Sequence, residues 1–500
     1  MKNLAVSLVF FVLINFQLIG QPTFQKYYYG GGTPQGHIHE LSNGHIHSSE
    51  GAESNGTSIL DQEGNILHFR SFDIDTFLVL QSIQKLSDNE FFFAGGYYFP
   101  PNITIHPVIG KMDSLGTIIH ASYYELNTSP NNTIAGDLEV TSTNKVIAFN
   151  RPSSSTIFVL ISDSAGQLLW SRSFGAGGYT QFVKELPSGD FLVGMNRDLA
   201  GAAVARLDAN SNIIWLKSFI RPDGLVRDCE IENDSTYTVV GYTHRNQGPL
   251  FMMRLNGNGD VQWCKGYDAP GWNTQRAKID KTLDDKYVVL ANGGGKAFLM
   301  KTDLNGDTLW TRAAGITGSH YYLFDLLPYS DGGFLFNGYT NEYGSFLFKT
   351  DSLGHLPCPE HVQSYPVQVQ NLFPTDSSFT LTSIDGAVRY PAYVHDTIYP
   401  PVTVIDGCTI TQVPNYAQKR PPPRIRPNPT TGRFTMDFVD PLRTDSFYSV
   451  YDSMGKLLYQ RPLPSGATTE EVDLARFGRG IYLLKITDPE GVRTERVVVE

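Results

Sequence analysis

The sequence lacks most of the features that mark common functional classes. It has only four cysteines in 500 residues, and none forms a Cys-x-x-Cys pair, which argues against a zinc or thioredoxin-like site. Its net charge is −11 and its basic residues are scattered, so the main driving force for binding nucleic acid or an anionic membrane is absent. Nucleophile-elbow, HExxH, Walker and dinucleotide motifs are also missing. We therefore predict no cofactor, no metal site and no nucleic-acid partner.

Long apolar runs are absent from the chain except at its beginning. Lys2 precedes an apolar stretch from Leu4 to Leu18, and Gly20 stands before a plausible cleavage point. This pattern predicts a signal peptide over residues 1–20, since the run is short for a spanning helix and has no stop-transfer flank. We expect an exported protein without a transmembrane segment.

The chain is rich in aromatic residues and in turn formers, with 30 Phe, 26 Tyr, 47 Gly and 29 Pro. Aromatic side chains suit pleated sheets, and Gly and Pro suit tight turns. No long stretch has helical apolar spacing. These features predict an all-β protein.

One phrase recurs along most of the chain. It is Asp or Asn, then Gly three residues later, then Trp or another apolar residue four positions after that. Successive copies are 45 to 52 residues apart, a period that fits the four strands of a propeller blade. The phrase is similar to that of quinoprotein propellers only at scaffold positions, which implies a fold but no chemistry. The seven copies begin at Asp61, Asp113, Asp163, Asp208, Asn256, Asp303 and Asp351.

The ends of the repeat region indicate how the ring closes. Residues 24–30 resemble a fourth strand with nothing before it, whereas the unit that ends at Asp351 lacks a fourth strand. Closure by strand 24–30 would protect the sheet edges of the first and last blades. We therefore predict a seven-bladed β-propeller over residues 21–357.

The segment after the repeats is extended in character. Residues 358–423 are rich in Val, Tyr, Thr and Pro, and end in three prolines, which predicts a small β-rich linker, or an irregular segment packed on the propeller, with a stiff end. The cysteines are Cys229, Cys264, Cys358 and Cys408. Four cysteines allow three pairings, and we favour Cys358 with Cys408 because both lie outside the repeats.

The last residues contain four ordered motifs, at 426–434, 450–458, 477–486 and 496–500. With these motifs, residues 424–500 resemble the C-terminal sorting domain of type IX secretion cargo. The resemblance implies a small β-sandwich, recognition by the type IX machinery, and a place outside a double-membraned bacterium, released or attached to the cell surface. The matching motif residues are Pro427, Asn428, Pro429, Gly432, Gly455, Gly480 and Tyr482.

Two local patterns could bind metal ions. Residues 36–47 contain two His-x-His pairs around Asn43-Gly44. A two-residue turn there would place His45, His47 and Glu40 on one face of the hairpin and the remaining two histidines, His37 and His39, on the other. Because the four imidazoles would not converge, we favour a scaffold role. Residues 303–307 resemble part of a calcium loop but lack its Gly and Glu spacing, so we predict a capped turn.

The loops before the innermost strands differ among the copies, and such loops commonly carry binding sites on a rigid frame. Their cationic and aromatic character would suit a carbohydrate or an acidic peptide; solvated loops and packing between blades are the alternative. The candidate ligand-binding residues are Arg227, Trp272, Arg276, His320 and Tyr321.

These observations favour a secreted or surface-displayed binding protein built on a non-catalytic propeller. The alternative is an extracellular hydrolase or lyase acting on polysaccharide or peptide, since the sequence does not show which carboxylates meet. A quinone-dependent dehydrogenase is disfavoured because no set of cofactor residues is visible.

Overall fold

The computed structural model divides into two units, Met1–Thr409 and Ile410–Glu500. The predicted signal peptide lies outside the described residues. Apart from three short 3₁₀ turns (Pro359–His361, Gly407–Thr409 and Ala475–Phe477), the regular structure described is all strand. The described residues are 21–29, 34–50, 56–72, 78–99, 104–126, 135–143, 145–150, 156–175, 178–197, 201–219, 224–243, 248–268, 276–293, 295–316, 319–378, 382–392, 396–397, 403–409, 423–439, 441–442, 446–452, 457–488 and 491–500.

Seven antiparallel sheets form the first unit, one for each sequence repeat, and the predicted all-β propeller is confirmed. The chain begins with β1 (Phe24–Tyr29). Blades one to three contain β2 (Pro34–Glu40), β3 (Ile46–Glu50), β4 (Gly56–Leu60) and β5 (Ile66–Phe72); β6 (Leu78–Ser87), β7 (Glu90–Phe99), β8 (Thr104–Asp113) and β9 (Ile118–Leu126); and β10 (Ala135–Val140), β11 (Val146–Asn150), β12 (Thr156–Ser162) and β13 (Leu168–Gly175).

The remaining blades follow the same order, with the first strand of each innermost. Blades four to seven contain β14 (Gly178–Glu185), β15 (Phe191–Arg197), β16 (Gly201–Leu207) and β17 (Ile213–Phe219); β18 (Gly224–Asn233), β19 (Thr236–Thr243), β20 (Leu250–Asn256) and β21 (Val261–Asp268); β22 (Ala277–Lys281), β23 (Tyr287–Gly293), β24 (Lys296–Thr302) and β25 (Thr308–Ala314); and β26 (Tyr321–Pro328), β27 (Phe334–Thr340) and β28 (Gly344–Thr350).

The repeated Asp caps the turn between the third and fourth strands of a blade. Oδ1 of Asp163 accepts hydrogen bonds from the backbone N–H groups of Ala165 and Gln167, at 2.9 and 2.8 Å. Gly166 takes the left-handed conformation that completes the turn, with φ of +74°. The turn at 303–307 is capped in the same way by Asp303. The repeat thus encodes a backbone-capped turn.

The repeated Trp packs on the repeated Gly of the next blade. A Cβ on Gly259 would lie 2.8 Å from the Trp215 ring, and Trp215 donates its indole N–H to the carbonyl oxygen of Gly257 at 2.9 Å. Gly306 meets Trp263 and Gly354 meets Trp310 in the same way. The spacing of the repeat therefore specifies a contact between neighbouring blades as well as a turn.

Strand β1 is the fourth strand of blade seven. It pairs antiparallel with β28, with Phe24 opposite Lys349. The Tyr28 hydroxyl donates to the carbonyl oxygen of Gly64 in blade one at 2.7 Å. Tyr124 makes the same bond to Gly166 between blades two and three, also at 2.7 Å. The N-terminal strand thus supplies the inter-blade hydrogen bond that Tyr124 and Tyr267 supply from two other fourth strands.

The segment after blade seven adds short strands to the outer edges of the blades. Seven short strands within residues 362–406, here called the outer belt, each add a fifth strand to one blade. The belt passes blades six, five, four, three, two and one and ends on β1 of blade seven, encircling the propeller once. Its strands are β29 (Val362–Ser364), β30 (Gln368–Asn371), β31 (Asp376–Ser378), β32 (Thr382–Asp385), β33 (Ala387–Pro391), β34 (Asp396–Thr397) and β35 (Thr403–Asp406).

A disulfide joins the two ends of the belt. Cys358, just before β29, is bonded to Cys408, just after β35, which is the pairing that the sequence favours. Cys229 and Cys264 are free and buried between blades four and five.

The second unit contains two antiparallel sheets around one core. One sheet has the order β36-β37-β40 and the other β39-β38-β41-β42. Phe434 and Met436 from the first sheet and Tyr448, Leu484 and others from the second share a buried cluster, as in a β-sandwich. The strands are β36 (Arg424–Arg426), β37 (Arg433–Asp437), β38 (Ser446–Tyr451), β39 (Leu457–Leu463), β40 (Thr469–Asp473), β41 (Gly480–Asp488) and β42 (Gly491–Val499).

The register predicted for the histidine hairpin is wrong by one residue. Leu41 and His45 close a three-residue turn in which Gly44 has φ of +78°, the usual geometry of a longer hairpin loop. His47 consequently lies opposite His39, not opposite Glu40.

The two facing histidines lie between blades one and two, with His47 buried and His39 half-buried. The His47 ring stacks on Phe91 with centroids 3.9 Å apart, and lies 6.5 Å from the His39 ring. Within the described part of the chain, neither nitrogen of His47 has a hydrogen-bond partner. Burial lowers the pKa of His47 to about 3 and that of His39 to about 4. The pair therefore packs as neutral aromatic rings.

The contact between β1 and blade one can be tested with two matched glycine substitutions. Gly64 and Gly189 both have positive φ, +79° and +83°, so alanine costs about 1 kcal/mol in backbone strain at each. A Cβ at Gly64 would also lie 2.8 Å from the Phe24 ring, whereas Gly189 has nothing within 4 Å. We expect Gly64→Ala to lower the free energy of unfolding in urea by about 1–3 kcal/mol more than Gly189→Ala. Equal losses would refute the contact.

The buried histidines predict a pH dependence of stability. The unfolded chain takes up protons on these imidazoles near pH 6.5, whereas the fold does not until about pH 4 or below. Their contribution is therefore present above about pH 6.5 and is lost as the pH falls toward about 4. In urea unfolding, His47→Phe should reduce this pH dependence by up to about 1.4 kcal/mol per pH unit. The control His320→Gln, at an exposed position, should leave the slope unchanged.

Candidate functional site

The innermost strands of most blades carry a bulge at the same place. Bulges re-aim side chains and are common next to functional sites. The bulge brings backbones close together: a Cβ on Gly95, Gly241 or Gly338 would lie 1.9 to 2.0 Å from a carbonyl oxygen of the inner strand. The extra residues at these register shifts are Gln81 in β6, Gly136 in β10, Gln181 in β14, Arg227 in β18 and Phe324 in β26.

Arg227 is the cation among these bulge residues. Its guanidinium donates to Oε1 of Gln181 at 2.7 Å and to the Tyr242 hydroxyl at 2.8 Å, and lies 5.1 Å from the centre of the Tyr242 ring. Within the described part of the chain these hydrogen-bond partners are neutral, and the buried Nε has none. Asn196 of blade four fixes the preceding residue by bonding both backbone groups of Val226. The fold thus holds a half-buried positive charge beside an amide and an aromatic ring.

A second cation lies one blade further round, and its aromatic partner lies on the blade after that. The Arg276 guanidinium is 5.4 Å from the centre of the Phe324 ring, and the Arg276 backbone N–H donates to Oδ1 of Asn292 at 2.8 Å. Arg276 directly precedes the innermost strand of blade six. Two of the predicted binding residues therefore lie at inner strands, each against an aromatic ring.

The other three predicted binding residues have different environments. Trp272 lies outside the described residues. His320 is exposed, and its backbone N–H donates to Oε2 of Glu342 at 3.4 Å. Tyr321 is buried and does not lie at the surface: its hydroxyl is 2.8 Å from that of Tyr27 and accepts from the N–H of Ile316. Tyr321 closes the interior of blade seven and is not part of the binding surface.

Lysine and carboxylate side chains of neighbouring inner strands lie close to one another. Lys278 of blade six lies 4.0 Å from Asp228 of blade five and 3.8 Å from Asp325 of blade seven. His37 of blade one lies 3.7 Å from Asp325, which also accepts a hydrogen bond from the backbone of Ile38 at 3.0 Å. Further along the strands, Lys184 lies 3.6 Å from Glu139. These contacts join successive blades around the channel.

Two carboxyl groups on neighbouring inner strands hold their protons unusually tightly. Burial, then the nearby Asp280, raise the pKa of Glu230 to about 8. Burial raises the pKa of Asp280 to about 7. A carboxyl group protonated at neutral pH can act as a general acid. The sequence could not show that these two carboxyl groups lie near each other, because β18 and β22 become neighbours only when the blades pack around the propeller.

The described residues contain no group of three or more His, Cys, Asp or Glu side chains placed to hold a metal ion. The sequence signal for the bulge is the glycine near the end of each aromatic strand. That glycine permits the bulge opposite it, and the bulge presents Gln181 and Arg227, of which sequence reasoning identified only Arg227.

Several of the predicted sorting-motif residues have structural roles in the second unit. Asn428 donates to the carbonyl oxygen of Arg496 at 2.7 Å and accepts from the N–H of Val498 at 2.9 Å. The Tyr482 hydroxyl donates toward the carbonyl oxygens of Phe477 and Gly478. These bonds tie the first and last motifs to the same sandwich. Gly455 lies outside the described residues.

Comparison with known proteins identifies this second unit. Residues 424–500 match the family model of the secretion system C-terminal sorting domain. No curated protein matches the chain. No helix in the described part of the chain is long and apolar enough to cross a membrane.

Solved structures with similar backbones are distant. A protein of unknown function from Bacteroides caccae is 11% identical, with 69% of this chain and 94% of that chain covered and a TM-score of 0.33. YCF48 bound to D1 peptide is 10% identical, with 67% and 96% covered and a TM-score of 0.40. Neither score reaches 0.5, so the assignment of the propeller rests on the sheet topology. The chain therefore carries, behind a seven-bladed β-propeller, the C-terminal sorting domain of type IX secretion cargo.

Proposed function

We propose that the protein is an exported binding protein whose propeller takes an acidic extracellular glycan at the inner strands around Arg227. The observation that carries this proposal is the half-buried Arg227 guanidinium, whose described hydrogen-bond partners, Gln181 and Tyr242, are neutral. A cation held away from water without a carboxylate partner favours an anionic ligand.

The neighbours of Arg227 favour a sugar acid over other anions. A guanidinium binds a carboxylate with two parallel hydrogen bonds. The Tyr242 ring supplies an aromatic surface and Gln181 an amide, the mixture that orients ligands in apolar clefts. Arg276 at blade six and Phe324 of blade seven repeat the pairing of a cation with an aromatic ring next to blade five, so a polymer with regularly spaced carboxylates could engage both arginines.

The sorting domain supports a place of action outside the cell. It indicates export, followed by release or attachment at the outer surface. We propose that the protein is displayed on or released from a double-membraned bacterium, where acidic polysaccharides are accessible. The predicted signal peptide of residues 1–20 would provide the first step of this route.

A second candidate function is hydrolysis or lysis of the same class of polymer. It is favoured by Glu230 and Asp280, whose raised pKa values leave one proton available near neutral pH. Pairs of carboxyl groups in such states are the usual apparatus of glycoside cleavage. Binding remains the better supported function, because these carboxyls lie in the wall between blades five and six with Lys184 nearby.

The binding proposal predicts a specific loss in one variant. Arg227→Gln should weaken binding to polygalacturonic acid by about 10- to 100-fold in isothermal titration, since a charge-assisted hydrogen bond is removed. Arg312→Gln is the matched control, because Arg312 also packs on an aromatic ring, Trp310, but on an outer strand. The affinity of this variant for the polymer should be unchanged. The fully methyl-esterified polymer should bind neither protein.

Other outcomes would contradict the proposal. Equal affinity for the esterified polymer would show that charge is not recognised, and binding of polyglutamate but not of the glycan would identify a peptide ligand instead. If the unmodified protein releases new chain ends from the polymer and Glu230→Gln abolishes this release, the protein is an enzyme and the second candidate is correct.

A further inference from the structure

The outer belt is held to the propeller by many weak attachments. Each belt strand has two to five residues, and β34 pairs with β5 through only two residue positions. All four residues of β30 are exposed. Few buried apolar contacts and short ladders are the features of segments that open locally at low cost. No single strand of the belt is therefore a strong anchor.

The order of the belt strands determines the order in which tension would detach them. The last belt strand, β35, pairs with β1, and the preceding ones lie on blades one, two, three and so on back to blade six. The chain continues from Cys408 through residues 410–423 to the sorting domain. Tension applied at the sorting domain would therefore meet β35 first and remove the belt one strand at a time.

The disulfide changes this path. Cys408 is bonded to Cys358, which precedes the whole belt. Tension that reaches Cys408 passes through one covalent bond to Cys358 and bypasses all seven belt strands. Cys358 itself is buried, and it follows directly on the capped turn that begins at Asp351.

The surroundings of the disulfide are tied to the ring-closing strand. His361 is buried, and its Nδ1 lies 3.0 Å from Nε2 of the buried Gln25 in β1. A Cβ on Gly407 would lie 2.5 Å from Cγ of the same glutamine. Both ends of the belt therefore meet against β1, the strand that closes the propeller.

We propose that the Cys358–Cys408 disulfide is a mechanical latch, which prevents force on the sorting domain from unzipping the outer belt and exposing β1. The force would arise wherever the C-terminal unit is held while the propeller is pulled away, as during export or surface attachment. This proposal goes beyond ligand binding and does not depend on it.

The latch can be tested by pulling single molecules of the full chain with optical tweezers. One handle is inserted in the exposed turn at Pro187–Asp190 of blade four, and the other is attached at Glu500. In the oxidised protein we expect no belt release before the propeller unfolds. After reduction to two thiols by a phosphine, which the exposed Cys408 allows, a low-force event should release the 50 residues between the cysteines, about 17 nm of chain.

Unfolding of the sorting domain would release roughly 25 nm. This length differs from that of the belt, and the event identifies each correctly attached molecule. Cys358→Ser/Cys408→Ser should behave like the reduced protein. If that variant does not fold, reduction of an already tethered molecule answers the same question. Hydrogen exchange without load should show faster exchange in the belt after reduction, with blade cores unchanged. The proposal is wrong if the reduced protein releases no segment of about 17 nm before the propeller unfolds, or if reduction leaves hydrogen exchange in the belt unchanged.

Discussion

Pairing of exposed strand edges is the constraint on which the rest of the structure depends. A blade has an inner and an outer edge, and a ring has a seam between its first and last members. Strand β1 closes the seam by pairing with β28 on one side and with β35 on the other. The same strand donates the Tyr28 hydrogen bond to blade one. Without this closure, neither the central channel nor the circular path of the belt would exist.

The inner strands contain ion pairs between neighbouring blades and one arginine, Arg227, whose described hydrogen-bond partners are neutral. Lys278 lies between Asp228 and Asp325, so those charges are neutralised across neighbouring blades. Arg227 differs because the bulge turns it toward Gln181 and Tyr242 rather than toward a carboxylate. The charges that join blades and the charge of Arg227 therefore differ in one feature of the backbone, because Arg227 is the extra residue of the inner strand.

The sorting domain follows the belt in the chain, so a force on this domain would act first on the end of the belt. The sorting domain is the part of the chain that the type IX secretion machinery recognises, and the chain between it and the propeller begins at Cys408, the closed end of the belt. A belt of short strands is a weak structure when it is pulled from one end and a strong one when its ends are joined. The two cysteines outside the repeats are placed to make that difference.

The sequence alone determined the number of blades, because a capped turn at Asp and a Trp-to-Gly contact between blades both need fixed spacing. It also determined the sorting domain, because its motifs are local. The tertiary structure alone decided three other features. The histidine register moved by one residue because the turn at Gly44 is longer than two residues, and Tyr321 is buried because β1 returns beside it. Residues 362–406 became a belt because each short strand pairs with a blade far away in sequence, and such pairing leaves no local pattern.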